Sequence, residues 1–211
     1  MPSQLVPFLL FVIVLTIVPG PDLALGLRNS LRGGTTAMWW TGLGCCSGLL
    51  VHAVASVVGL SALFAASAQA YMVVKLAGAA YLVWLGATTL WKSWRHRHEP
   101  VALDLPAAPK TAIDRRTAFR QGLVSNLLNP KIILLFLTLL PQFISPGESR
   151  IVTSAVLTLV FLVVALVWWR VTSWLVGAMR AVLTRKRVMQ VLERVTGGVM
   201  VALGLRVAVE S

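Results

Sequence analysis

The sequence predicts an all-α polytopic membrane protein with six transmembrane helices arranged as two inverted three-helix repeats. Three observations lead to this class. Of the 211 residues, 57% are hydrophobic and only 12% are charged, whereas a soluble domain is about half apolar and a quarter charged. The apolar residues also form six continuous stretches, and proline interrupts the first and the fourth of them.

Each of the six apolar stretches is predicted to be a helix. A helix that crosses a bilayer takes about 20 residues, and lipid offers the backbone no hydrogen-bond partners. The strands of a membrane barrel would alternate apolar with polar residues, and these stretches do not alternate. The stretches run over residues 5–27, 37–64, 71–91, 123–144, 151–171 and 195–209, the last with a polar lead-in from residue 188.

The distribution of lysine and arginine predicts the orientation. The connections after helices 1, 3 and 5 hold most of the formal net charge of +12, whereas the opposite side has Arg150 and Arg206. By the positive-inside rule, these connections are cytoplasmic and both termini are non-cytoplasmic. Tryptophans at helix ends, such as Trp39, Trp169 and Trp174, lie on the same predicted face. The charge therefore indicates topology and contact with membrane lipids rather than a nucleic-acid partner.

A linker separates the two predicted repeats. Residues 92–118 are rich in charge and proline and are predicted to form a cytoplasmic connection between a first repeat, residues 1–91, and a second repeat, residues 119–211. Helices 3 and 6 share a short pattern that ends in Gly86 and Gly204, respectively. Because each repeat has an odd number of helices, equivalent helices cross the membrane in opposite directions.

The first helix of each repeat is predicted to be broken near its middle. Helix 1 contains Pro19-Gly20-Pro21-Asp22, and helix 4 contains Asn129-Pro130-Lys131. Proline removes a backbone donor and clashes with the preceding turn, so it kinks or interrupts a helix. Paired breaks in corresponding helices of inverted repeats are typical of the substrate site of a transporter.

The two breaks predict a substrate site suited to a zwitterion. A helix that restarts at Pro21 or at Pro130, with Asn129 as a cap, presents unpaired N–H groups and its positive dipole end to a carboxylate. The carbonyl groups freed before each break can accept from an ammonium group. The predicted substrate-binding residues are Pro19, Gly20, Pro21, Asp22, Asn126, Asn129, Pro130 and Lys131.

Three ionisable residues near the breaks each have more than one interpretation. Asp22 could bind a substrate ammonium group, pair with Lys131 or take up a proton, or it could simply complement the helix dipole. Lys131 could act in the site or extend towards the cytoplasmic headgroups. His52, on helix 2, is either a proton relay or a packing residue. Asp22 and His52 are the proton-coupling candidates.

The remaining small and metal-binding residue types have simpler interpretations. Gly44 and Gly48 on helix 2, with Cys45 and Cys46 between them, form a small-residue surface suited to close helix contact, within the chain or between subunits. The three histidines and seven acidic residues are scattered, so the sequence predicts neither a metal site nor a cofactor nor an enzyme. A metal-ion exporter and a membrane enzyme acting on lipid-linked substrates are the alternatives to an organic-solute exporter.

Motifs along nearly the whole chain resemble the LysE/RhtB superfamily of bacterial amino-acid exporters, nearest to its homoserine, threonine and leucine branch. They are Pro19-Gly20-Pro21-Asp22, the Gly33-Gly34 turn, Gly42 and Gly44 with Gly48 and His52, residues 75–86, the 126–131 segment, and Leu140-Pro-Gln-Phe143.

The resemblance implies a multi-pass protein of the bacterial inner membrane that exports amino acids. It implies a homodimer driven by the proton gradient, in which protons and a neutral amino acid or derivative, such as leucine, threonine or homoserine, are exchanged by alternating access. Val18 stands where many members have serine or threonine. The loss of that hydroxyl favours an apolar substrate.

Overall fold

The helices of the computed structural model follow the apolar stretches of the sequence. The structure describes residues 2–17, 20–66, 68–95, 112–176, 178 and 186–209, and no strand occurs within these ranges. The all-α prediction is therefore confirmed for this part of the chain. The α-helices are α1 (Leu5–Ile17), α2 (Pro21–Ala66), α3 (Ala68–Arg95), α4 (Arg115–Leu127), α5 (Pro130–Leu134), α6 (Arg150–Trp174) and α7 (Lys186–Val209).

Two of these helices depart from regular geometry. Helix α2 is two helical segments joined at Gly33 and Gly34, and Gly34 has φ 62°, a backbone conformation that favours glycine. Its first segment, residues 21–32, continues the first apolar stretch after the break. Helix α5 leads into a π-helical turn (Leu135–Leu139) and a 3-10 turn (Leu140–Phe143), where a continuous helix was predicted to residue 144.

Several helices extend beyond the apolar stretches. Helix α3 ends at Arg95 and α4 begins at Arg115, so both described ends of the predicted 92–118 linker are helical, while residues 96–111 lie outside the described residues. The start of α4 is fixed by Asp114, whose carboxylate accepts a hydrogen bond from the backbone N–H of Thr117 at 2.6 Å. Hydropathy marks only the apolar part of a helix, which is why polar first and last turns escape it.

The burial pattern is that of a protein surrounded by lipid. Two described helical regions are long and apolar enough to cross a membrane, namely Pro21–Val57 and Arg150–Trp174, the latter with a mean hydropathy of 2.7. Along α6, apolar side chains such as Leu159, Val163 and Val167 are half or more exposed on the outer face. Polar side chains lie inside instead, among them Asn29, Thr41, Ser56, Asn126, Thr158 and Thr172. Exposed apolar side chains, with hydrogen-bonding side chains among the buried ones, are typical of helices packed in a membrane.

Glycines bring α2 and α4 into backbone contact. A Cβ atom at Gly44 would collide with the carbonyl oxygen of Phe119, and one at Gly122 would collide with the carbonyl oxygen of Thr41. The small-residue surface predicted on helix 2 therefore packs within the chain. Contacts advance in the same direction along both helices, so α2 and α4 run parallel.

Helices α3 and α7 are held together in the same way but run antiparallel. A Cβ atom at Gly86 would lie 2.7 Å from the carbonyl oxygen of Gly197, and one at Gly204 would lie 2.9 Å from the carbonyl oxygen of Ala79. Gly86 and Gly204, which end the pattern shared by the two helices, are therefore glycines that allow the close contact between α3 and α7.

Substitution at Gly44 tests the backbone contact between α2 and α4. We expect Gly44→Ala to destabilise the protein by about 1–3 kcal/mol, because the added methyl group overpacks a backbone contact. Unfolding in detergent, followed by tryptophan fluorescence, measures the change. Gly198→Ala is the matched control, since its Cβ would meet nothing within 4 Å and alanine is the better helix former. Equal stability of the two variants would contradict the packing described here.

Glu148 joins the start of the chain to the loop before α6, at the end of the molecule opposite the start of α4. Its Oε1 accepts hydrogen bonds from the backbone N–H of Ser3, at 2.8 Å, and from the Ser3 hydroxyl. Its Oε2 accepts from the backbone N–H of Ser145 and from the hydroxyl of Thr153, both at 3.3 Å. These donors, the Ser3 backbone first, hold the pKa of Glu148 below its usual range.

The lowered pKa of Glu148 gives a pH dependence of known sign. A carboxyl group whose pKa is lower in the folded state adds stability above its unfolded pKa, and that stability is lost as pH falls through the folded pKa. We expect Glu148→Gln to be less stable than the wild type at neutral pH and to lose less stability on acidification to about pH 3. Thermal unfolding in detergent across this range checks the prediction. Parallel acid profiles for the two proteins would contradict it.

Candidate functional site

The two helix breaks lie against each other and exchange contacts. The charged residue that follows each break reaches the helix end that precedes the other break: Asp22 contacts α4, and Lys131 contacts α1. Both residues take the second position of a helix that starts with proline, Pro21 in α2 and Pro130 in α5. The contacts are therefore reciprocal, as expected for related elements facing each other.

Three side chains of the second break donate hydrogen bonds to the carboxylate of Asp22. The hydroxyl of Ser125 donates to Oδ1 at 2.6 Å. The amide groups of Asn126 and Asn129 both donate to Oδ2, at 2.9 Å and 3.0 Å. The three donors give the carboxylate hydrogen-bond partners in a setting where an unpartnered charge would be costly.

Lys131 bonds to the backbone of the first break rather than to a carboxylate. Its Nζ donates to the carbonyl oxygen of Leu15 at 2.8 Å, one of the carbonyl groups left without an intrahelical partner near the end of α1. The ammonium group is thereby held at the junction of α1 and α5. Opposite charges on Asp22 and Lys131 thus flank the same junction, each with its own hydrogen-bond partner.

Asn129 and Asn126 have second roles in positioning the site. The Oδ1 of Asn129 accepts from the backbone N–H of Lys131 at 3.1 Å and caps α5. Asn126 approaches α2 closely because Gly48 has no side chain, since a Cβ there would lie 2.7 Å from its Oδ1. Each asparagine therefore links Asp22 to the second break, and Asn129 also caps α5.

Helix α2 also binds the irregular carbonyl groups of the second break. The Nε2 of His52 lies 3.1 Å from the carbonyl oxygen of Asn126, and a carbonyl can only accept, so Nε2 carries the proton. The hydroxyl of Ser56, one turn further along, donates to the carbonyl oxygen of Phe136 in the π-helical turn at 2.6 Å. Asn126 is thus in contact with both Asp22 and His52.

A cavity of about 70 Å³ lies at the junction. Roughly 10–15 Å³ of such space holds one water molecule, so the cavity holds several waters or part of a small solute. Two of its lining residues, Thr16 and Asn126, have buried side-chain oxygens without a protein partner among the described residues. The polar lining residues are Thr16, Gly20, Asp22, Asn126, Asn129 and Lys131, and the apolar ones include Leu15, Leu23, Leu49, Ile132, Phe161 and Trp168.

Two groups of aromatic side chains pack at and near the cavity. Trp169, which is 6% exposed, lines the cavity and packs into a slot where a Cβ at Gly26 or at Gly42 would collide with its ring. On the side of the Glu148 loop, Phe143 packs edge-on against Phe8, with ring centroids 5.1 Å apart, and stacks on Phe11 at 5.8 Å. These three phenylalanines do not line the cavity themselves.

The structure brings together most of the residues predicted for the site. Gly20, Asp22, Asn126, Asn129 and Lys131 line the cavity. Pro21 and Pro130 are exposed and start the two helices, so they shape the breaks without lining the cavity. Pro19 lies outside the described residues, and His52 reaches the site only through Asn126.

Ser125 and Trp169 are site residues that sequence reasoning missed. Ser125 precedes Asn126 directly, and a helical wheel of α4 could have placed both beside the break. Trp169 was assigned to the interfacial belt with its neighbours, but it is buried within the bundle. Its ring fits inside the bundle because Gly26 and Gly42, which are distant in sequence, have no side chains there.

No three of the described histidine, cysteine, aspartate and glutamate side chains lie close enough to hold a metal ion. Cys45 and Cys46 are buried and free, and both line the cavity. The thiol of Cys45 donates a weak hydrogen bond to the carbonyl oxygen of Gly122 at 3.4 Å, so it helps to join α2 to α4.

Buried polar groups at paired helix breaks, within a bundle with an apolar exterior, indicate a membrane protein. The chain belongs to the LysE type translocator family, which matches residues 13–211. This finding confirms the resemblance drawn from the sequence motifs.

Several relatives are similar over most of the chain. An uncharacterised membrane protein of Bacillus subtilis is 29% identical over 92% of this chain and 92% of its own length. The homoserine/homoserine lactone efflux protein of Salmonella typhimurium is 30% identical over 95% of this chain and 94% of its own. The leucine efflux protein of the same species is 27% identical over 65% of this chain and 61% of its own. No solved structure matches the chain.

Proposed function

We propose that this protein exports neutral amino acids, or close derivatives of them, across the bacterial inner membrane by alternating access driven by the proton gradient. The observation that carries the proposal is the partly buried carboxylate of Asp22, which lines a cavity between two broken helices. Relatives named for homoserine and leucine efflux support this substrate class. The membrane placement is supported by the exposed apolar faces and the buried polar residues.

The cavity supplies a partner for each part of an amino acid. The carboxylate of Asp22 attracts the substrate ammonium group, and the unpartnered oxygens of Thr16 and Asn126 accept further hydrogen bonds from it. Lys131 and the N–H groups at the start of α5 attract the substrate carboxylate. The side chain then faces the apolar wall that Leu23, Phe161 and Trp168 help to form.

An inverted repeat supports alternating access. In the proposed topology, with both termini outside and the 92–118 linker in the cytoplasm, helices 2 and 4 cross in the same direction and helices 3 and 6 in opposite directions. The parallel pair α2 and α4 and the antiparallel pair α3 and α7 agree with this requirement. The two repeats, residues 1–91 and 119–211, would then move against each other about the junction of the breaks.

Two groups of aromatic side chains are placed where they could act as gates in such a cycle. Trp169 lies on the proposed cytoplasmic side of the cavity, and Phe143 with its phenylalanine neighbours lies on the outer side. Release of Trp169 from Gly26 and Gly42 opens a path from the cytoplasm, and separation of Phe143 from Phe8 opens a path to the outside.

Proton coupling is proposed to act through Asp22, with His52 as its nearest protonatable neighbour along the Asn126 contact. An ionised Asp22 holds the substrate ammonium group, whereas a protonated Asp22 has no charge with which to hold it. A proton that enters from the outside therefore displaces the substrate outwards, which is the sense of an antiporter. The homodimer implied by the family resemblance belongs to the same proposal.

Replacing the carboxylate tests the site. In proteoliposomes loaded with a radiolabelled neutral amino acid, we expect Asp22→Asn to reduce proton-driven export at least about tenfold, because a hydrogen bond to a charged group contributes about 1.5–3 kcal/mol. Asp114→Asn, which changes an exposed helix cap outside the site, is the control and should retain export. Unchanged export by well-folded Asp22→Asn would refute the proposed site.

Competition between substrates tests the apolar wall. We expect unlabelled leucine to inhibit export at least about fivefold more strongly than unlabelled homoserine, because each buried methylene group contributes about 0.8 kcal/mol. Phe161→Ala should reduce this preference, since Phe161 lines the cavity. Stronger inhibition by homoserine would instead assign the protein a hydroxylated substrate.

A further inference from the structure

A second cavity lies away from the helix breaks, where three helices meet on the proposed cytoplasmic face. It has a volume of about 400 Å³ and is lined by Trp39 and Trp40 of α2, Arg115 at the start of α4, and Arg170 and Trp174 near the end of α6. None of these residues takes part in the site at the breaks, and the proposed export cycle does not use them.

The guanidinium group of Arg170 lies near two indole rings. Its Cζ lies 5.3 Å from the ring centroid of Trp39 and 4.5 Å from that of Trp174, within the range of cation–π attraction. Cation–π attraction does not use up the N–H donors of the guanidinium group. No described residue accepts a hydrogen bond from them, so a planar fork of donors is ready for a ligand.

The described residues supply no counter-charge to this cavity. Arg115 adds a second guanidinium group to its lining, and neither arginine forms an ion pair with a described carboxylate. The neighbouring acid, Asp114, turns its carboxylate to the backbone N–H of Thr117 in its own helix cap. Two arginines that line one cavity without a counter-charge in the described part of the chain favour a phosphate group, which guanidinium groups bind with paired hydrogen bonds.

The surroundings of the cavity are those of a lipid headgroup. Tryptophan is enriched at the level where headgroups meet acyl chains, and three tryptophans line this cavity. Val167 and Val163, one and two turns before Arg170 on α6, are 58% and 50% exposed, which gives an apolar surface on the membrane side of the charged cavity. A soluble phosphate would use the arginines alone, whereas a phospholipid would use both surfaces.

We propose that this cavity binds the headgroup of an anionic phospholipid, with the phosphate between Arg115 and Arg170 and the acyl chains along Val167 and Val163 of α6, towards the middle of the bilayer. The lipid joins the start of α4 to the end of α6 and to the second segment of α2. The site depends on membrane placement but not on the identity of the exported solute.

Lipid retention measured by native mass spectrometry tests the proposal. The full-length protein is purified in detergent with equal amounts of phosphatidylglycerol and phosphatidylcholine. We expect the wild type to retain phosphatidylglycerol preferentially, and Arg170→Gln to retain it at least about fivefold less, because one arginine near a charged membrane surface contributes about 1 kcal/mol of binding, or about fivefold in affinity. Arg120→Gln, which removes an exposed arginine of α4 outside the cavity, is the matched control.

Two further measurements decide between the sources of phosphate and exclude misfolding. Inorganic phosphate at millimolar concentration should leave the bound phosphatidylglycerol in place, and displacement of the lipid by it would overturn the assignment to phospholipid. Thermal unfolding should show Arg170→Gln folded like Arg120→Gln. Equal retention of phosphatidylglycerol by these two variants, or equal retention of both lipids by the wild type, would also overturn the proposal.

Discussion

The partly buried carboxylate of Asp22 is the constraint on which the structure depends. A carboxylate inside a membrane protein is costly unless donors surround it, and one break of one helix cannot supply them. The second break does, through Ser125, Asn126 and Asn129. Since Lys131 returns a hydrogen bond to the carbonyl of Leu15, the two breaks are fixed to each other and a cavity remains where their regular backbone stops.

Close helix packing makes this arrangement possible. The amide of Asn126 can reach Asp22 only because α4 lies directly on α2, and that approach requires glycine at Gly44, Gly48 and Gly122. The same helix contact brings His52 to the carbonyl oxygen of Asn126. Close packing at these glycines therefore sets the position of the polar side chains. Those side chains in turn form hydrogen bonds with the backbone groups that the proline breaks leave without helical partners.

The predictability of each feature follows from its physical range. The breaks were predictable because proline acts on its own helix. Asp22 and Lys131 were predictable as site residues because a charge within an apolar membrane stretch is costly. The π-helical turn at Leu135–Leu139 was not, since no residue type marks it and its carbonyl is satisfied by Ser56 from another helix. The prediction that Trp169 lies at the membrane interface was wrong for a similar reason, because its slot is formed by glycines distant in sequence.

The sequence by itself determined the helical class, the positions of both breaks and the residues at the centre of the site, because hydropathy, proline and buried charge act locally along the chain. Only the tertiary structure decided which partners those residues have. In the structure, Asp22 bonds to the second break and the Gly44 surface packs against α4. Arg170 lies within cation–π distance of Trp39 and Trp174. Each of these contacts joins helices whose relative placement depends on the packing of the whole bundle.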